Sequence, residues 1–166
     1  MRRARAALLA GAGLAVLTGC SPEELPLVGV QLDARGVPQA LLRSCDDQGR
    51  VRAPALYAME PAVADQQYWP DDQWLAWKST EPRPKAADFP LFAPPTEWAV
   101  TTHGPQSLEP DRVYRLGFAD PEETYAYNAT VTFDTARLAA LEPGQVLTHG
   151  GVVSRADFDR LARKAC

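Results

Sequence analysis

The side chains able to do covalent or acid–base chemistry are few: three cysteines, Cys20, Cys45 and Cys166, and two histidines, His103 and His149. Each histidine stands beside a glycine in a turn-like stretch. No His-x-x-x-His or Cys-x-x-Cys spacing gathers ligands as a zinc site requires. Adjacent acids occur at Asp46-Asp47, Asp71-Asp72 and Glu122-Glu123. Neighbours on a strand or loop diverge, whereas glycoside hydrolysis needs two carboxylates converging on one cleft. None of these runs alternates oxygen ligands as a calcium loop does. His149-Gly150-Gly151 lacks the Gly-x-Ser-x-Gly nucleophile turn that would accompany a hydrolase oxyanion loop. The expectation is a non-enzymatic chain, with no catalytic residue, metal or cofactor.

The most unusual cluster is aromatic. Trp69, Trp74 and Trp77, three of the four tryptophans, lie within nine residues, next to Tyr68 and Asp71-Asp72. On a strand Trp74 and Trp77 point to opposite sides, so both serve a core only where the strand is covered twice or bulged. An exposed tryptophan beside acids suits contact with a partner protein, a small ligand or a carbohydrate. Packing between sheets is the alternative use of the same rings, and the spacing leaves both open.

Residues 1–19 carry a separate signal. Arg2, Arg3 and Arg5 precede Ala6 to Val16, an apolar run of 11 residues broken only by glycine, and Leu17-Thr18-Gly19-Cys20 follows. Such a run is too short to span a bilayer, which takes about 20 residues. It reads as the core of a cleaved export signal. Its final four residues resemble the lipobox of bacterial lipoproteins. That resemblance implies that Cys20 becomes the new N-terminus, carries a diacylglycerol thioether with or without an N-acyl chain such as palmitate, and holds the protein on the outer face of the cytoplasmic membrane. Acyl chains contribute about 0.8 kcal/mol per buried methylene, so two or three make a stable anchor. Arg2-Arg3 leaves the choice between general and twin-arginine export open. Polar, proline-bearing residues over 20–26 read as a tether ahead of one domain at 27–166.

With Cys20 given to lipid, Cys45 and Cys166 form an even pair in a compartment that tolerates disulfides. Their bridge would close a loop of about 122 residues, for which lost unfolded-state entropy gives roughly 4 to 5 kcal/mol as an upper figure. It would pin the last residue of the chain to the second strand. Two buried free thiols are the alternative.

Behind these residues the dominant pattern is period two. Val28, Val30 and Leu32 alternate with Gly29 and Gln31, and Tyr127, Ala129, Val131 and Phe133 alternate with Asn128, Thr130 and Thr132. Further strands are expected over Gln39 to Ser44, Val51 to Ala58, Gln73 to Lys78, Trp98 to Thr102 and Val113 to Ala119, about seven in all. No helical pattern lies between them, so antiparallel sheets follow, and an immunoglobulin-like β-sandwich is the fold expected. Helices come late: Thr135 to Leu141, then a segment opened by Ser154 as N-cap, whose Phe158, Leu161, Ala162 and Ala165 share a face. From Glu81 to Thr96 five prolines exclude regular structure, while Phe89, Leu91 and Phe92 require that loop to pack.

The net charge of −4 includes the three leader arginines. Without them 14 basic side chains face 21 acidic ones, which disfavours nucleic acid, since phosphate binding needs clustered Lys and Arg. Beyond the lipobox the chain resembles envelope lipoproteins of high-G+C Gram-positive bacteria. The resemblance rests on Leu27-Val28-Gly29-Val30, Gly36 to Pro38, a cysteine ending the second strand, Tyr114-Arg115-Leu116-Gly117-Phe118 and the terminal cysteine. It implies location and shape. The expected function is a lipid-anchored interaction module for another envelope protein, with a small-ligand or glycan binder using Trp69 to Trp77 as the alternative.

Overall fold

The structure is a computed structural model that describes residues 24–64, 71–118 and 129–166. Ten strands are present among the described residues: β1 Val28–Leu32, β2 Pro38–Leu42, β3 Ala55–Met59, β4 Leu75–Ser79, β5 Asp88–Pro90, β6 Val100–Thr102, β7 Val113–Phe118, β8 Ala129–Phe133, β9 Gln145–Thr148 and β10 Gly151–Ser154. Two helices accompany them, α1 Thr135–Ala139 and α2 Arg155–Ala165. The protein is mainly β: two five-stranded antiparallel sheets, ordered β10-β9-β1-β2-β5 and β6-β4-β3-β7-β8, with a short C-terminal helix. No helix among the described residues is long and apolar enough to cross a membrane.

Each of the seven expected strands has a counterpart, and three more were not foreseen. β5 is one of these: Phe89 pairs with Ala40 inside the proline-rich segment, correcting the expectation that prolines keep it irregular. Pro90 falls on the outer strand of its sheet, where a missing N–H is tolerated. The β9–β10 hairpin is the other addition, turned by His149-Gly150. Several expected strands start late for local reasons. β3 begins at Ala55 because Pro54 has no N–H to donate and Ala53 takes a positive φ of 39°. β4 begins at Leu75 because Asp72–Trp74 closes a 3-10 turn.

Alternation determines what lies between the sheets. Val28, Val30, Ala40, Leu42 and Leu147 of one sheet share a buried cluster with Leu56, Trp77, Leu116, Val131 and Phe133 of the other. Burying each large side chain contributes roughly 1.5–3 kcal/mol. Trp77, Phe89 and Trp98 fill one part of this core edge to face, with Trp77 and Phe89 centroids 5.7 Å apart, and Tyr114 stacks on Phe133 at 5.6 Å in another.

The outer face of the first sheet is covered by α2. Ser154 caps the helix by accepting from the Asp157 N–H at 3.1 Å, and Phe158 is buried against Leu41 and Val146. Gly29 provides the space: a Cβ there would sit 2.5 Å from Val146 Cγ1 and 3.3 Å from Phe158 Cε2. On the outer face of the second sheet Ala55, Tyr57, Met59, Ala64 and Leu75 form a separate small cluster.

Candidate functional site

Among the described residues, a cleft gathers where the second sheet meets the turns leading into β4 and β7. Trp74 ends the 3-10 turn, its N–H donating to the Asp71 carbonyl at 3.0 Å, and its ring is half-buried. The Arg112 guanidinium lies over that ring, 5.9 Å from its centre. Glu109 at 3.6 Å and Glu60 at 3.9 Å flank the same guanidinium, which fixes it as a planar cation against an aromatic face. Ala58, Trp74, His103, Glu109 and Arg112 line a shallow cleft of about 160 Å³.

The far wall of this cleft is built by residues 103–112, and the segment is well tied. Gln106 Nε2 donates to the carbonyls of Ala76, His103 and Gly104 at 3.0, 2.9 and 3.3 Å. The buried Tyr114 hydroxyl accepts from the Glu109 N–H at 2.7 Å and donates to the Ser107 carbonyl at 3.4 Å. Gly104, at φ +61°, turns the chain where a side chain would be strained. The cleft therefore offers an aromatic plane, a fixed cation, a carboxylate and an imidazole on a firm frame.

A second hollow of about 240 Å³ lies beside α2, lined by Arg43, Asp159, Arg163 and Cys166 among others. Its charges are largely engaged with one another. Arg43 donates to Asp159 at 2.9 and 3.0 Å and to Asp88 at 2.6 and 3.4 Å, and Arg155 donates to Asp88 at 2.6 Å and Asp159 at 3.1 Å. Partial burial works against the charges of Arg43, Asp88 and Asp159. It is outweighed by the mutual hydrogen bonds, which hold the Asp88 and Asp159 carboxyls below the usual aspartate range and the Arg43 guanidinium above its own. This closed ring of two cations and two anions joins the segment just after β2 to β5 and α2.

The expected Cys45–Cys166 disulfide is present, with Cα atoms 4.9 Å apart. The three tryptophans fare differently. Trp77 is fully buried, with its indole N–H donating to the Leu91 carbonyl at 2.8 Å, so it is a core side chain and offers no surface to a ligand. The cause is a register shift in the β3–β4 pairing, which turns Trp77 inward while Leu75 faces the outer cluster. Trp74 remains at the surface. Trp69 and Cys20 lie outside the described residues. The two histidines are not brought together as a catalytic pair: His103 lines the cleft, while His149 Nδ1 sits 2.7 Å from the Glu24 carboxylate.

Sequence reasoning passed over Arg112 and Glu109. The only signal they carried was a polar turn ahead of a strand, and Trp74 lies far from them in the chain. Among the described residues no cluster of three or more His, Cys, Asp or Glu side chains is arranged to hold a metal ion. Compared with known proteins, the chain matches no family model, no curated protein and no solved structure, so the reading of its site rests on these residues alone.

Proposed function

We propose that this chain is a lipid-anchored, extracytoplasmic module of a bacterial cell envelope that binds another envelope protein without catalysing a reaction. The observation that carries the binding role is the Trp74–Arg112 pair at the rim of the cleft. Tryptophan and arginine are the residue types that most often dominate protein interfaces, and here both are held in place before any partner arrives. The Cys45–Cys166 bridge supports the compartment, because such bridges persist where the surroundings are oxidising. Leu17-Thr18-Gly19-Cys20 supports the anchor.

We infer in addition that the two sheets follow an immunoglobulin-like plan. The order β6-β4-β3-β7-β8 parallels the extended sheet of variable-type immunoglobulin domains, with β7 in the place of strand F. Tyr114 near the start of β7, bonded back to Ser107 and Glu109, supports this as the counterpart of a tyrosine corner. The β9–β10 hairpin, α2 and the position of the disulfide depart from that plan.

Photo-crosslinking in cells from the exposed Gln73 position tests the interaction. The expected result is one reproducible protein adduct that disappears in Trp74→Ala and in Arg112→Ala. Absence of any reproducible adduct overturns the proposal. A glycan or small-ligand role for the Trp69–Trp77 region is favoured by the polar groups across the cleft from Trp74, and predicts quenching of tryptophan fluorescence by cell-wall fragments. A flat titration dismisses it.

A further inference from the structure

The chain is already packed ahead of β1. Leu25 is buried in the main core, and its carbonyl accepts from the Leu27 N–H at 2.8 Å. The Glu24 carboxylate accepts from Thr130 Oγ1 at 2.9 Å through one oxygen and lies 2.7 Å from His149 Nδ1 through the other. These three residues mark one end of the sandwich. Val28 pairs with Leu42 at the start of β1, Thr130 pairs with Gly117 near the end of β7, and His149 opens the turn between β9 and β10. The opposite end holds the β1–β2 turn, where the Arg35 and Val37 N–H groups donate to Asp33, and the start of β7, next to Arg112 and Trp74.

Cys20 precedes Glu24 by four residue steps, which reach at most about 14 Å when fully extended. A domain of this size has a radius of gyration of about 14 Å, hence a breadth well over twice that reach. We infer that the end bearing Glu24, Thr130 and His149 lies against phospholipid headgroups, and that the Trp74 cleft is presented away from the membrane. This rests on the lipoprotein reading of Cys20. The occupant of that end is a lipid surface because the acyl chains, the headgroups and the first packed residue are joined by a leash shorter than the domain they hold.

The test uses the full acylated protein in vesicles of equal parts phosphatidylethanolamine and phosphatidylglycerol. Benzoylphenylalanine replaces either Gly150, where an added Cβ meets only Thr148 Oγ1 at 3.9 Å, or Arg35, whose side chain is 83% exposed at the far end. Phospholipid adducts at Gly150 should exceed those at Arg35 by on the order of tenfold, and a long Gly/Ser spacer inserted after Ser21 should remove the excess. Equal yields, an excess at Arg35, no adduct at either site, or an excess that survives the spacer would each overturn the inference. The mass of the N-terminal peptide separates the two readings. Cys20 without acyl chains removes the anchor and this orientation together, whereas acylated protein lacking the excess removes the orientation alone.

Discussion

Gly29 shows how a single missing side chain allows one layer to sit on another. Its Cβ position is crowded by Val146 of β9 and Phe158 of α2, both buried, so neither can retreat far in a close-packed interior. Gly29→Ala should therefore cost about 1–3 kcal/mol through forced displacement of those side chains. Urea unfolding measures the loss, and hydrogen exchange should show it concentrated in α2. A neutral substitution would mean that the helix is not seated on Gly29. At this scale the sequence was partly legible. The alternation around Gly29 was visible, but its reason was not, because Val146 and Phe158 lie more than a hundred positions along the chain. The expectation that Trp74 and Trp77 face opposite sides assumed that they share a strand; Trp74 instead ends the 3-10 turn ahead of β4, and nothing in the spacing announced the register shift beside Trp77.

Among elements, α2 is the one whose attachment is chemically distinctive, because a charge ring and a disulfide supplement its apolar face. Asp88 and Asp159 hold their protons less tightly in the folded state than in the unfolded chain, since Arg43 and Arg155 donate to both carboxylates. Their contribution is therefore complete above the ordinary aspartate value of 3.8 and is lost as pH falls through the lower folded-state values. Stability should be level from neutral pH to about pH 5 and decline below about pH 4. In a variant combining Asp88→Asn with Asp159→Asn the acid-dependent decline should be shallower. An unchanged slope in denaturant titrations across this range would remove the ring from the account. The i,i+4 pair Arg155–Asp159 was available to sequence reasoning, but the partners Arg43, just past β2, and Asp88, on β5, are joined only by the fold. Strands with long alternation were legible for the same local reason. β5, β9 and β10 were not, being three or four residues long and set among prolines or glycines.

For the molecule as a whole, the bridge between Cys45 and Cys166 spans 121 positions, nearly the full length of the folded domain. Reduction should lower the stability by up to roughly 5 kcal/mol through the unfolded state's regained freedom. In thermal unfolding this corresponds to a fall in Tm on the order of 10–15 °C. Cys45→Ser should reproduce it without reductant, and a shift of only a degree or two in both cases would show that the charge ring and Phe158 hold the helix unaided. The bridge was the feature of the whole molecule most legible in the sequence, because reading Cys20 as a lipobox-like cysteine left two to pair.

The pairing of β1 with β9 carries a consequence for how the protein is made. Of the described strands β1 is made first and β9 nearly last, and the bridging Cys166 follows both. Until β9, α2 and Cys166 have been synthesised, the first strand has an open edge, Gly29 faces no helix, and Cys45 has no partner sulfur. The sheet that carries β1 therefore closes only once residues 145–166 exist, so the folding of its first strand waits on the last described elements.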